Sequence, residues 1–236
     1  LAEYKGQACG IVSTIQYGPR LGWMGLLMVH DEFRRRGIGS ALMNHGIEFL
    51  KQRDVRRIKI DATDAGRSVF LKLGFEDERP VHVFVGRRPA QTQPSVWQTD
   101  GDVDWQAAAE MDTAAFRADR LDLLKLLRRD GYHTSLTERA ALTAYGFAQQ
   151  GFYASRLGPV VAATPEAART AVTRLLGVLP EGNVIWNLLP DNVHAKELAV
   201  SLGFTLHERL TRMYLGTVAH PGDLDTTYAT GGSEVG

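Results

Sequence analysis

Val29-His30-Asp31-Glu32-Phe33-Arg34-Arg35-Arg36-Gly37-Ile38-Gly39-Ser40 lies where the chain changes its period. Ahead of it, Trp23 to Val29 is an unbroken apolar run after the Gly18-Pro19-Arg20 turn and predicts a fully buried strand. Behind it, Ile38, Leu42, Ile47 and Leu50, with Ala41 and Met43, mark one face of a helix running to about Arg53. Gly37 and Gly39 let the backbone approach a ligand with no Cβ in the way. The amides from Arg35 to Ser40 open the helix and have no intrahelical acceptors. With the positive end of the helix dipole they suit a pyrophosphate, and Arg34, Arg35 and Arg36 add full charges. The order R-x-x-G-x-G is neither a Walker loop nor a dinucleotide fingerprint. Two blander readings compete, a solvated basic first turn and a contact to nucleic-acid backbone. Arginines at a helix N-terminus oppose the dipole unless an anion is present, and no aromatic platform is interleaved with them.

Charge along the chain agrees with a polyanionic ligand in the first part. Residues 1–92 carry 15 Lys and Arg against 10 Asp and Glu, and the remainder carries 12 against 17. The acidic remainder argues against a long nucleic-acid track and suits a cationic substrate. Cys9 is the single cysteine, which excludes an internal disulfide and a cysteine-based zinc site; we expect no metal. No apolar run approaches bilayer length, so we expect no membrane partner and, by default, a cytoplasmic location.

Around this stretch the pattern predicts strands at 2–4, 7–16, 57–61 and 81–86, and a helix from Ala65 to Leu73 that Gly74 stops. The polar Gln91-Thr92-Gln93-Pro94-Ser95 marks a linker over 91–96, dividing the chain into units 1–90 and 97–236. The second unit predicts helix over 104–129, broken near Arg117, then strands at 141–149 and 151–157. A helix from Pro165 to Leu179, a strand at 184–189, a helix at 192–202 and strands at 207–215 and 227–234 follow. A weak internal repeat links the two. Leu73-Gly74-Phe75 returns as Leu202-Gly203-Phe204, and Arg20-Leu21-Gly22 returns as Arg156-Leu157-Gly158, in the same order.

With Arg34, Gly37 and Gly39 in its three fixed positions, the loop resembles the R/Q-x-x-G-x-G/A coenzyme-A motif of the GNAT superfamily of N-acetyltransferases. Asp61 to Phe75 resembles the family's strand-helix segment, and Asn192 to Phe204 repeats it. The resemblance implies an α/β fold of two tandem GNAT-like units, each a mixed, largely antiparallel sheet flanked by helices. It implies acetyl-CoA as acyl donor, held by Met28, Val29, Arg34, Arg35, Arg36, Gly37, Ile38, Gly39 and Ser40. The pantetheine arm would lie between two splayed strands, with an amide near Met28 or Val29 polarising the thioester carbonyl. The acceptor would be the primary amine of a small molecule, attacking directly.

Departures from the family pattern temper this. The acid tyrosine's position is Phe70 here and Ala199 in the repeat, and Trp23 to Val29 carries no carboxylate. His30 and Asp61 are candidate bases and Tyr17 a candidate acceptor-side residue, although each has a structural explanation. No catalytic side chain is assigned, and a coenzyme-A-binding module with weak or lost catalysis is the alternative. The second unit replaces the loop with Ala162-Ala163-Thr164-Pro165-Glu166-Ala167-Ala168, whose Thr cap, N1 proline and acidic first turn exclude a phosphate. By family analogy the first unit lacks a strand and one or two helices at its start, about 50 residues at ordinary element lengths.

Overall fold

The computed structural model describes residues 1–88, 103–217 and 222–236, so the expected linker at 91–96 lies outside the described residues. In chain order the elements are β1 (Ala2–Tyr4), β2 (Gln7–Tyr17), β3 (Leu21–Val29), α1 (Ile38–Lys51), β4 (Arg57–Ala62), α2 (Asp64–Lys72) and β5 (Glu76–Arg88). There follow α3 (Trp105–Phe116), α4 (Leu121–Asp130), β6 (Tyr132–Glu138), β7 (Ala141–Gln149), β8 (Ser155–Ala162) and α5 (Pro165–Val178). The last are β9 (Gly182–Leu188), α6 (Val193–Ser201), β10 (Thr205–Gly216) and β11 (Thr227–Ala229). They form two compact units. The first is Leu1–Arg79 with Leu210–Ala219 and Ser233–Gly236, the second Pro80–Arg209 with His220–Gly232.

In the first unit β1, β2 and β3 pair antiparallel in succession, with Lys5 and Gly6 at φ 52° and 80° closing the first hairpin. β3 then pairs parallel with β4, but only over Leu21↔Arg57, Gly22↔Ile58 and Trp23↔Lys59. β4 continues antiparallel to β10, from Thr211↔Ala62 to Gly216↔Arg57. A strand from late in the chain therefore completes the first unit's sheet. Met24, Met43, Ile47, Leu50, Ile60 and Phe75 make the core between sheet and helices. Two cross-strand ion pairs, Lys59–Glu78 and Arg212–Asp61, join its strands at 2.8 Å each.

The second unit repeats the pairing. β6, β7 and β8 are antiparallel, β8 runs parallel to β9 over Ser155–Leu157 and Val184–Trp186, and β9 is antiparallel to β5. Each unit is thus a mixed, largely antiparallel sheet with helices, as expected. Here α3 and α4 precede the hairpins. Buried Asp112 on α3 takes Arg120 at 2.7 and 3.1 Å and a short hydrogen bond from Tyr145 Oη on β7.

Four expectations need correction. β6 falls in a stretch, Tyr132–Glu138, for which the sequence pattern predicts no strand, because it is largely polar and its burial does not alternate. The strand placed at 151–157 begins at Ser155 and runs to Ala162; Phe152 and Tyr153, residues of high strand propensity, stand exposed in the hairpin turn. β5 starts at Glu76 rather than Val81, since ion pairs through Glu78 take the place of apolar alternation there. The last strand stops at Ala229, well short of Glu234.

Candidate active site

The first unit's site is set by the parting of two parallel neighbours. Beyond Trp23 and Lys59 no further β3–β4 pair is recorded among the described residues, so backbone groups of Met24 to Val29 face the gap. β3 also carries a bulge. Ile11 faces Met28 and Ser13 faces Gly25, so Val12 alone opposes Leu26 and Leu27, and Leu26 sits at φ 51°. A non-glycine residue held there is strained, a feature that concentrates at functional sites. Nothing in the apolar run announces it.

The loop after β3 turns through one 3₁₀ turn, Asp31–Phe33, and enters α1 at Gly37, whose φ is 79°. A Cβ on Gly37 would meet nothing within 4 Å, so here the backbone angle demands glycine. No side chain caps the helix and no acid occupies its first turn, which leaves the amides of Ile38, Gly39 and Ser40 for an outside acceptor. Arg34 turns back into the loop, donating to the Val29 carbonyl at 3.1 Å and pairing with Asp31 at 2.7 Å. Arg36 lies over the rings of Tyr4 and Phe33 at 5.8 and 5.5 Å. Arg34 therefore holds the loop's shape, while Arg35 and Arg36 remain exposed at its rim. Beside the loop a cleft of about 430 Å³ is lined by Cys9, Gly10, Met28, Val29, His30 and Arg34.

Of the candidate catalytic groups, Asp61 has its side chain fully buried in a two-bond pair with Arg212, at 2.8 and 3.0 Å, and Arg212 in turn lies 4.7 Å from the Trp23 ring centre. Its partner comes from 151 residues away, which no local pattern reveals. His30 is exposed and edges the Phe33 ring at 5.9 Å. Tyr17 is buried, and its hydroxyl donates to the Val235 carbonyl at 2.8 Å. Phe70 belongs to the α2 core against Phe75.

Comparison with known proteins gives this geometry a family. A model described as the acetyltransferase (GNAT) family matches residues 1–75, and one described as an acetyltransferase (GNAT) domain matches residues 108–229, more than half of the chain. The chain belongs to the GNAT acetyltransferases. An uncharacterized N-acetyltransferase of Bacillus subtilis, YitH, is 26% identical over 179 residues, covering 72% of this chain and 61% of that protein. A second, from Chlorobaculum tepidum, is 29% identical over 77 residues, 33% of this chain and 48% of its own length. Among solved structures, a protein from Pyrococcus horikoshii superposes with a TM-score of 0.81 at 24% identity, covering 98% of this chain and 78% of that one. A tandem GNAT protein from the clavulanic acid biosynthesis pathway gives 0.61 at 18%, covering 92% and 82%. At these identities the structures show a shared fold and nothing finer.

The second GNAT unit also parts its parallel strands and then fills the gap. Beyond Leu157 and Trp186, β11 enters antiparallel to β8, pairing Thr227 with Val161 and Ala229 with Val160. On the other side Thr230 N donates to the Asn187 carbonyl of β9 at 2.8 Å, and the Trp186 indole donates to the Tyr228 carbonyl at 2.8 Å. Asn192 latches the approach, reaching the carbonyls of Leu224, Asp225 and Thr227 at 3.1, 2.9 and 3.1 Å. The helix that follows, α5, is closed as well: Thr164 accepts from Ala167 N, Pro165 opens it and Glu166 lies in its first turn.

Proposed function

We propose that the first unit binds acetyl-CoA and transfers its acetyl group to the primary amine of a small molecule by direct attack. One observation carries this reading: β3 and β4 part beside an uncapped, glycine-opened, arginine-flanked helix N-terminus. The second unit has the same parting, filled, and a capped helix. The donor's pyrophosphate lies on the amides of Ile38, Gly39 and Ser40 with Arg35 and Arg36 beside it, and Arg34 and Gly37 fix the loop. Met28 and Val29 offer backbone to the pantetheine arm, and an amide freed at the Leu26–Leu27 bulge polarises the thioester carbonyl. The amine nitrogen forms the C–N bond, the C–S bond breaks with its electron pair leaving on the coenzyme A thiolate, and solvent takes the amine proton and protonates the thiolate, because Asp61 is held by Arg212 and Phe70 has no proton to exchange.

Calorimetry with acetyl-CoA on the intact chain and on Gly37→Glu tests the donor site. Binding by the first and loss in the second, with the variant still folded by circular dichroism, is expected; no binding by the intact chain overturns the reading. The absence of a carboxylate in β3 and of a tyrosine at Phe70 favours a second reading, a coenzyme-A-binding module without turnover. Release of free thiol across an amine panel separates the two.

A further inference from the structure

β3 presents different chemistry on its two faces. Met24 and Leu27 pack with the core under α1, where a methyl on Gly46 would come within 2.5 Å of the Met24 terminal carbon. Trp23 and Gly25, at alternate positions, face the other way. Along that other face runs Ser233–Gly236, held at three successive points. The Trp23 indole N–H donates to the Ser233 carbonyl at 3.0 Å, and the Tyr17 hydroxyl donates to the Val235 carbonyl at 2.8 Å. Between them, a methyl on Gly25 would stand 2.8 Å from the Glu234 Cα and 2.9 Å from its carbonyl oxygen. This is a close approach that only glycine permits.

The contact falls beside the proposed reacting centre. Trp23 is the last residue of β3 paired to β4, and Gly25 immediately precedes the bulge at Leu26. Ser13, directly opposite Gly25 on β2, has a buried hydroxyl oxygen without a hydrogen-bond partner. With α1 closing one face of β3, an amine reaches a carbonyl held at the bulge from the other face, the one Ser233–Gly236 covers. The segment also brings an acid, Glu234, to a strand that has none.

We infer that Ser233–Gly236 is the acceptor-side wall of the transfer site and selects which amine enters, an inference that rests on the acetyl-transfer reading above. Donor binding, on the α1 side, does not depend on it.

Deletion of Ser233–Gly236, and separately Gly25→Ala, tests this in the full chain with 1,4-diaminobutane and 2-phenylethylamine as probes. Three readouts are used: calorimetry with acetyl-CoA, amine-dependent release of free thiol, and the Trp23 indole N–H resonance of the donor-loaded chain. The expected result for the deletion is a donor Kd within about twofold of the unaltered chain. KM should rise tenfold or more for at least one amine, with kcat changing less and the ratio between the two amines altered. In the unaltered chain either amine should move the Trp23 resonance. Unchanged KM values in both variants overturn the inference, and so does a Trp23 resonance that neither amine moves. Failure of the intact chain to bind acetyl-CoA is a different result and removes the acetyl-transfer reading itself.

Discussion

Trp23 donates its indole N–H to the carbonyl of Ser233 at 3.0 Å, a bond between residues 210 positions apart. It places the last stretch of the described chain against the strand on which the donor thioester is proposed to lie. The stretch just before it, Thr227–Ala229, occupies the equivalent gap of the second unit. The two units therefore share the parted strands and differ in that β11 fills the gap of the second.

Acetyl-CoA should bind with a stoichiometry of one per chain. The gap beyond Leu157 and Trp186 already has its backbone groups paired with Thr226 to Thr230, and α5 is capped and acidic at its start. Calorimetry that saturates at two equivalents would contradict this.

Arg34→Ala should weaken acetyl-CoA binding about tenfold, near 1.4 kcal/mol, by loosening the loop. Its guanidinium is spent on the Val29 carbonyl and Asp31, so the loss is one of preorganisation. Arg34→Lys should recover little, because a point charge cannot hold both partners in a fork.

Asp112→Ala should destabilise the second unit by about 3–5 kcal/mol, since it strands Arg120 in the interior. Tyr145→Phe leaves the Asp112–Arg120 pair intact and should cost about 1 kcal/mol. Urea unfolding of the two variants gives the comparison.

Asn192→Asp separates a helix cap from a latch. The side-chain oxygen that accepts from Ala195 N at 2.9 Å is preserved. The amide that serves the carbonyls of Leu224, Asp225 and Thr227 is replaced by a carboxylate facing them. A loss of about 2–3 kcal/mol is expected from the stranded acceptors. Faster amide exchange should appear at Thr227 and Thr230 first. If the variant is as stable as the parent, Asn192 is a cap alone.

Stability of the second unit should fall as pH drops below neutrality. Burial holds the His82 imidazole below its usual range, reinforced by Arg209 and Lys196 and opposed by Asp191. Its neutral form is therefore favoured in the folded state. The stabilisation is complete above the unfolded value of 6.5 and is lost as pH falls through the lower folded value. The urea midpoint of His82→Gln should vary less between pH 7 and pH 5 than that of the unaltered chain; equal slopes would sink this assignment.

Elements with a local cause are legible in the order of residues alone. Alternation and apolar runs placed β2, β3 and β7, a 3.6-residue period placed α1 and α5, and the glycines and arginines of 34–40 marked an anion-binding turn. The repeated Leu-Gly-Phe and Arg-Leu-Gly strings marked two related units, and the break near Arg117 fell where α3 ends. The remaining features exist only once distant segments pack together. That β10 completes the first unit's sheet, that Arg212 neutralises Asp61, that Thr227–Ala229 closes one gap and that Ser233–Gly236 lies along β3 all depend on contacts across long stretches of chain. Such contacts leave no periodic trace in either partner, because each is one hydrogen bond or one ion pair whose other half lies in a distant segment. Polarity follows only from the pairing: a cation from another strand makes the burial of Asp61 and Glu78 tolerable, and the close approach at Gly25 exists only because a second backbone lies against it.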